Sequence, residues 1–498
     1  MSKTRLKRRL TLLDAIMLVM GSMIGSGIFI VTADVARQVG SPAFILLTWL
    51  FAGFLTIIAA LSYGELAGMM PKAGGQYVYL REAYGSLVGF LFGWTTFLVI
   101  ETGLIAAVSV AFGKFAAVLM PSLFEPFELF TIGKFTFTTI QLTALIVLNF
   151  LTFINLQGID AGKMVQNLFT GTKIMALAML IFIGLYIGVG SFYWLVNMGT
   201  FWEPFKTIVN NGVPTKMPLS GFALVSAVGL AMTGPIFSSS AWNTITYAAG
   251  EIIEPKRNIP RSLFIGTLGV AILYALANLS YISLLPTVGD PNGADASARG
   301  IAFASEDRVG TALAEVLFGE WGSDAMALFI MISTFGCVNG IILAGARVYY
   351  AMANDGLFFK QAANLDKRTR VPRFALIIQA IWASVLCVSG TYSDLLKYVT
   401  FATLVFYILT IGGIFILRRT APDAERPYKA FGYPFIPALY IVLATAICLN
   451  LLVFEPTISL MGLSVKPSWV GLGIVLLGIP VYFLSKIGKN TEGGEVSN

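Results

Sequence analysis

Two short stretches hold the residues best able to do chemistry. The first, Gly21-Ser22-Met23-Ile24-Gly25-Ser26-Gly27-Ile28-Phe29, sets three glycines inside an otherwise apolar run. Glycine accepts unusual backbone angles and lets another group come close to the chain. The second is Gly234-Pro235 followed by Phe237-Ser238-Ser239-Ser240-Ala241-Trp242-Asn243. Proline removes a helical hydrogen bond, and serine hydroxyls can satisfy backbone groups freed in this way. An interrupted helix presents N–H groups where its second half starts and C=O groups where its first half ends. Amides at Gly25, Ser26 and Gly27 would favour an anion such as a carboxylate. Carbonyls near Met23, Phe237 and Ser240, with Ser238 between the last two, would favour an ammonium group. A site offering both, without a strong side-chain charge, suits a zwitterionic α-amino acid.

Four charged residues lie within or near the ends of apolar runs, where a charge is costly and is usually functional or paired. Lys173, in Thr170-Gly171-Thr172-Lys173-Ile174, sits about two helical turns inside its run. That depth favours a coupling role over snorkelling to the surface. Glu101 can pair with a buried cation, accept a coupling proton, or face a water-filled vestibule. Arg347 lies closer to the end of its run and either snorkels or makes a gate ion pair. Asp14 caps the first helix or joins the same charged network.

These residues need a scaffold that holds them at membrane depth. The chain has 498 residues, 57% hydrophobic and 12% charged, about half the usual charged share. Its charges cluster between long apolar runs, and a soluble protein of this size would need far more polar surface. A bilayer core of about 30 Å takes roughly 20 apolar residues in a helix. Such runs lie at 12–35, 43–69, 86–119, 140–156, 165–189, 222–249, 262–284, 325–352, 374–389, 395–417, 435–454 and 469–484. The expected fold class is an all-α membrane protein of about twelve transmembrane helices. Barrel strands are about ten residues long and alternate in polarity, and these runs do neither. The first run is long and has no small-residue cleavage site after it, so it reads as a retained helix. The largest loop, about 286–323, carries Asp290, Asp295, Glu306, Asp307 and Glu315.

Lysine and arginine are retained on the cytoplasmic side of a membrane. With the N-terminus inside, 22 of the 33 fall on that side and nine on the other, with Lys173 and Arg347 inside spans. Both termini are therefore expected in the cytoplasm, on an even number of spans in the cell membrane. The net charge of +7 follows from this bias and calls for no nucleic-acid partner. The chain has no histidine, which removes His-based metal sites and proton relays. Cys337, Cys387 and Cys448 all lie in apolar runs and read as small buried hydrophobes. No metal and no cofactor are expected.

Gly25-Ser26-Gly27-Ile28-Phe29 resembles the substrate motif of the amino acid–polyamine–organocation superfamily. Glu251-x-x-x-Pro255-Lys256-Arg257-Asn258-Ile259-Pro260-Arg261 resembles that superfamily's cytoplasmic signature after span six, and Pro71-Lys72-Ala73-Gly74-Gly75-Gln76-Tyr77 its counterpart after span two. Arg426-Pro427-Tyr428-Lys429 and Val338-Asn339-Gly340 add to the match, which runs from about 12 to 454. Phe237 with Trp242-Asn243 looks most like the L-type amino acid transporter branch. The resemblance implies a LeuT-type fold: two inverted five-helix repeats (12–189 and 219–417) plus two peripheral helices (418–487), flanked by tails 1–11 and 488–498. The two interrupted spans, one and six, would then hold equivalent places in the repeats, which points to a transporter binding site. The resemblance further implies that Ser26 and Gly27 hold the substrate carboxylate. Met23, Phe237 and Ser240 would receive the amine, with Phe237 as the gate. Lys173 would stand where sodium-coupled relatives bind sodium. Ser238, Ser239 and Ser240 depart from the aromatic or acidic residue and glycines of many relatives, which leaves side-chain preference open.

The function expected is secondary active transport of amino acids, neutral L-amino acids first, by sodium-independent exchange or proton-coupled uptake. A channel would show a filter or charged ring repeated by oligomeric symmetry, whereas the irregular segments here occur once per half. An enzyme would need a nucleophile–base or metal set, and a primary pump a Gly-rich phosphate loop. A transporter-like sensor and a polyamine or cationic amino-acid permease are the remaining alternatives. Expected partners are the amino acid, membrane lipid and protons, with no obligate protein partner.

Overall fold

The computed structural model describes residues 8–120, 127–132, 135–210, 213–389, 392–460 and 463–492. The expected cytoplasmic residues Lys3, Arg5 and Lys7, Lys134 on the opposite side, and the last six residues of the C-terminal tail lie outside these.

The first span begins where Thr11 and Asp14 form a capping box, the Thr11 hydroxyl and amide each donating to Asp14 Oδ2 at 2.8 Å. Asp14 is thus the third helical residue of the box and not the cap, and Asn167 donates to its other oxygen at 2.7 Å. Helix α1 (Leu12–Met23) and helix α2 (Gly27–Val39) make one span bent by 41°. Ser41, with Pro42 in the first turn, starts the unbroken α3 (Pro42–Met69). A short α4 (Gln76–Tyr84) leads into α5 (Ser86–Thr95) and, through a π-helical turn at Thr96–Ile100, into α6 (Glu101–Leu119). Hairpin β1–β2 (Glu128–Ile132, Phe135–Thr138) precedes α7 (Thr139–Leu156), α8 (Ile159–Gly188) and the short α9 (Phe192–Gly199).

A second antiparallel hairpin, β3–β4 (Phe205–Asn210, Val213–Pro218), comes before the sixth span. That span is divided into α10 (Gly221–Ala231), α11 (Thr233–Ser238) and α12 (Thr244–Tyr247). Then follow α13 (Pro255–Leu284), α14 (Ala296–Arg299) and α15 (Val309–Phe318) within the acidic loop, and α16 (Glu320–Asn354). The chain ends with α17 (Arg373–Ser389), α18 (Tyr392–Thr420), α19 (Phe435–Phe454), hairpin β5–β6 (Ile458–Leu460, Leu463–Val465) and α20 (Pro467–Glu492).

Among the described residues, ten helices are long and apolar enough to cross a membrane, and the bent pair α1–α2 makes an eleventh crossing. The run at 374–389 forms α17, whose 17 residues stand at the short end of the range that crosses a bilayer core. Among the described residues, length and composition thus give up to eleven of the expected twelve crossings. Large apolar side chains such as Phe153, Phe182, Tyr186 and Leu477 are exposed, as lipid-facing residues are. The buried core lies between the bent first span, α3, α6, α8, α13, α16 and α18.

Both ends of this bundle are latched. On the side richest in basic residues, Leu10 bridges to Ile252, the Arg9 and Leu10 amides donating to Glu251 O at 2.8 and 2.9 Å. There too Tyr77 donates to Asp355 at 2.8 Å, and Arg81 pairs with the same carboxylate. On the opposite side Arg37, in the last turn of α2, reaches Asp307 at 2.6 Å and Ala302 O at 2.8 Å. The acidic loop is thus tied to the second half of the broken first span.

Candidate functional site

Between α1 and α2 the helix is interrupted at Ile24, Gly25 and Ser26. The Gly25 amide turns back to Met23 O at 2.9 Å. Gly27 and Ile28 then occupy the first turn of α2, where α-helical geometry supplies no acceptor for the amides. Ser26 precedes them without a side-chain cap. An N-terminus of this kind favours an anion.

In the sixth span the break lies later than Gly234-Pro235 suggests. Pro235 sits in the first turn of α11, where a missing N–H costs little. The chain unwinds instead from Ser239 to Asn243, with Ala241 in the left-handed region at φ 64°. The serines do as their sequence implies. Ser240 Oγ donates to Phe237 O at 2.6 Å and Ser238 Oγ to Gly234 O at 2.8 Å.

The two breaks meet. A Cβ placed on Gly27 would collide with Ser238 Oγ and lie 2.7 Å from Ser238 Cβ. A Cβ on Gly25 would lie 3.2 Å from Cys337 Sγ, on α16. Tyr274, on α13, stands with its hydroxyl 2.9 Å from Met23 O and 3.1 Å from Ser238 O. Its one proton serves one of those carbonyls at a time. Phe237 is buried between these segments, at 4% exposure.

Lys173 is 2% exposed and does not snorkel. Its ammonium group carries three protons and meets three carbonyl oxygens: Gly21, Ile24 at 2.7 Å and Ser333 at 3.4 Å. Two of the three belong to the unwinding end of α1. Ser333 Oγ also donates to Ile24 O, at 3.0 Å, and Cys337 Sγ to Ser22 O, at 3.0 Å. Arg347 does not snorkel either. It is 1% exposed, and its guanidinium pairs with Glu251, because the segment after the broken sixth span folds inward and brings that carboxylate to it.

Glu101 follows directly on the π turn and is 2% exposed. Among the described residues it has no cation partner, and its Oε2 has no hydrogen-bond partner. It borders a cavity of about 10 Å³ shared with Gln76, Ser240, Asn243, Tyr247 and Tyr407, room for about one water. The polar wall opposite is a closed network. Asn243 Nδ2 donates to Gln76 Oε1 at 2.7 Å, and Tyr407 OH to Asn243 Oδ1 at 3.1 Å.

The structure therefore gathers Met23, Gly25, Ser26, Gly27, Phe237, Ser238, Ser240 and Lys173 around two facing helix breaks. Glu101 stands one cavity away, beside Ser240. Tyr274, Ser333 and Cys337 also belong to this centre and were not singled out from sequence as site residues. Only Tyr274 carried a signal, being a tyrosine well inside a span and not at the membrane interface where tyrosine concentrates.

The family profile described as Amino acid permease matches residues 10–480. The chain belongs to this family. The permease is 30% identical over 485 residues to the Large neutral amino acids transporter small subunit 2 of Homo sapiens, covering 96% of this chain and 80% of that one. It is 29% identical to the b(0,+)-type amino acid transporter 1 of Mus musculus, covering 97% and 88% of the two chains. It is 28% identical to the Asc-type amino acid transporter 1 of Mus musculus, covering 97% and 82%. The permease is accordingly an amino acid transporter of the amino acid–polyamine–organocation superfamily, of the L-type branch.

Proposed function

We propose that this permease carries neutral L-amino acids across the cell membrane by alternating access, without sodium, either in exchange or with a proton. The substrate carboxylate lies against the Ser26 and Gly27 amides, with Gly25 beside them, and its ammonium group against the carbonyls of Met23, Phe237 and Ser240. Phe237 closes over it, and Ser238 borders it. Residues 12–189 and 219–417 act as the two repeats and 418–487 as a peripheral pair, with the tails 1–11 and 488–498 in the cytoplasm.

The observation that carries this reading is the ammonium group of Lys173, placed on two carbonyls of the first break. It supplies covalently the positive charge that a bound cation would otherwise bring to those oxygens. The neutral preference rests on the absence of a carboxylate from both broken segments, and one relative is named for large neutral amino acids. The notion of a chain working without a protein partner draws no support from that relative, which is named a small subunit.

The test is uptake of a radiolabelled panel of leucine, alanine, serine and arginine into liposomes holding the purified protein. It is run in sodium and in choline, with and without a pH gradient and internal amino acid. Sodium-dependent uptake would overturn the reading. A second reading, transport of cationic amino acids, is favoured by one observation: Glu101 borders the cavity beside Ser240. Arginine competing more strongly than leucine would establish it.

A further inference from the structure

A recess of about 410 Å³ opens where the start of α13 meets α3 and the linker between α18 and α19. None of the residues that line it belongs to the breaks in spans one and six. Three cations line it, Lys256, Arg257 and Arg261, and its apolar wall includes Leu61, Phe264 and the ring of Tyr428. Arg257, Arg261 and Phe264 follow at intervals of four and three residues, so they share one face of α13.

The opposite wall is held firmly. Glu65, 1% exposed, accepts from Arg418 Nε at 2.9 Å, from Arg418 Nη2 at 2.7 Å and from the Ala430 amide at 2.7 Å. This fixes the linker against α3 so closely that a Cβ on Gly64 would lie 2.8 Å from the Tyr428 ring. The cations are freer. Lys256 meets Glu425 at 2.6 Å and Arg257 meets Glu254 at 3.8 Å, all four side chains being about half exposed or more. Exposed pairs of this kind contribute little and yield readily to a phosphate, which a guanidinium binds through two parallel bonds. Arg261 is exposed and forms no ion pair among the described residues.

A second feature says what kind of anion fits. Below Arg261 on the same face of α13 run Ile265, Ile272 and Leu276, exposed by 45%, 51% and 37%. An exposed apolar stripe leading from a basic recess matches a molecule with a charged head and a hydrocarbon tail, and basic pockets between membrane helices accept lipid headgroups. We propose that this recess binds the headgroup of an anionic phospholipid in the leaflet on the basic side, its acyl chain lying along Ile265, Ile272 and Leu276.

The test compares the purified full chain with the Arg257→Gln/Arg261→Gln and Arg257→Lys/Arg261→Lys variants by native mass spectrometry. Each is titrated with phosphatidylglycerol and with phosphatidylcholine of the same acyl composition. Melting temperatures recorded in parallel show that the exposed substitutions leave the fold intact. Wild type should retain phosphatidylglycerol over phosphatidylcholine by about tenfold or more, as two to three surface cations imply. The glutamine variant should lose that excess and the lysine variant should keep most of it. Equal retention of the two lipids, or an excess that survives the glutamine substitutions, would overturn the proposal. So would displacement of phosphatidylglycerol by glycerol 3-phosphate at matched concentration, which would make the recess a site for soluble phosphate.

Discussion

Arg347 of α16 and Glu251, at the end of the broken sixth span, form an ion pair in which both side chains are almost wholly buried, Nη2 lying 3.2 Å from Oε1. Nε adds a second contact at 3.3 Å, and Nη1 is held by Leu343 O. Glu251 also accepts the Arg9 and Leu10 amides through its backbone. One residue thus connects the entry to the first broken span, the exit of the second and the long α16. Removing one partner strands a buried charge, at a cost of about 3–5 kcal/mol, whereas removing both costs far less. Arg347→Met and Glu251→Leu should each lower the melting temperature of the purified protein, and the double variant should melt nearer to wild type than either. Single variants that melt like wild type would show that the pair contributes nothing to stability.

The contact between Gly27 and Ser238 yields a prediction of the opposite kind, in which atoms are added. A Cβ on Gly27 has no room beside the Ser238 side chain, and forced overpacking costs about 1–3 kcal/mol. Gly27→Ala should therefore weaken substrate binding in a scintillation proximity assay by about tenfold. Ser238→Gly, introduced into that background, removes the colliding atoms and should recover part of the loss. Unchanged affinity in Gly27→Ala, or no recovery in the double variant, would mean that the two breaks do not meet while substrate is bound.

The sequence made some of this legible and not the rest, for definable reasons. The first break could be located because glycine at 25 and 27 has a backbone meaning of its own. The second could be placed only within the stretch from Gly234 to Asn243, since a proline in a helix's first turn looks the same in sequence as one that breaks the helix. The true unwinding includes Ala241 at positive φ, an angle that alanine seldom adopts and that no residue type there announces. Lys173 was legible by its depth. Arg347 was not, because its place near a span end is compatible with both snorkelling and burial. Only the inward fold of Glu251, a contact 96 residues away, decides between them. The π turn before Glu101 has no residue signature at all.

Glu101 leads to a test of coupling. Its carboxyl borders a cavity with room for about one water, and Oε2 has no partner among the described residues. If the coupling proton rides on this group, Glu101→Gln should abolish stimulation of leucine uptake by an inward proton gradient while leaving leucine affinity within about threefold, the amide being of the same size. The measurement is initial uptake at a series of imposed gradients, with binding recorded separately. Gradient dependence that persists in the variant would reduce Glu101 to a structural residue. Selective loss of arginine competition with the gradient response intact would instead support the cationic reading.

Lys173 is the residue on which sodium independence turns. Its ammonium group meets three carbonyl oxygens, and the Gly21 and Ile24 carbonyls sit where α1 stops being a helix. A hydrogen bond to a charged group is worth about 1.5–3 kcal/mol, so losing even one changes a conformational equilibrium by about tenfold or more. None of these oxygens belongs to Met23, Phe237 or Ser240, the carbonyls assigned to the substrate ammonium group. Lys173→Ala should therefore cut initial exchange rate by at least about tenfold while equilibrium affinity moves by less. Wild type should exchange equally fast in sodium and in choline, because the cation at the break is part of the chain. In the alanine variant the same carbonyls lose their donor, and any recovery of rate should depend on added sodium. Sodium-stimulated exchange by wild type, or an alanine variant with unaltered turnover, would show that the ammonium group of Lys173 takes no part in the transport cycle.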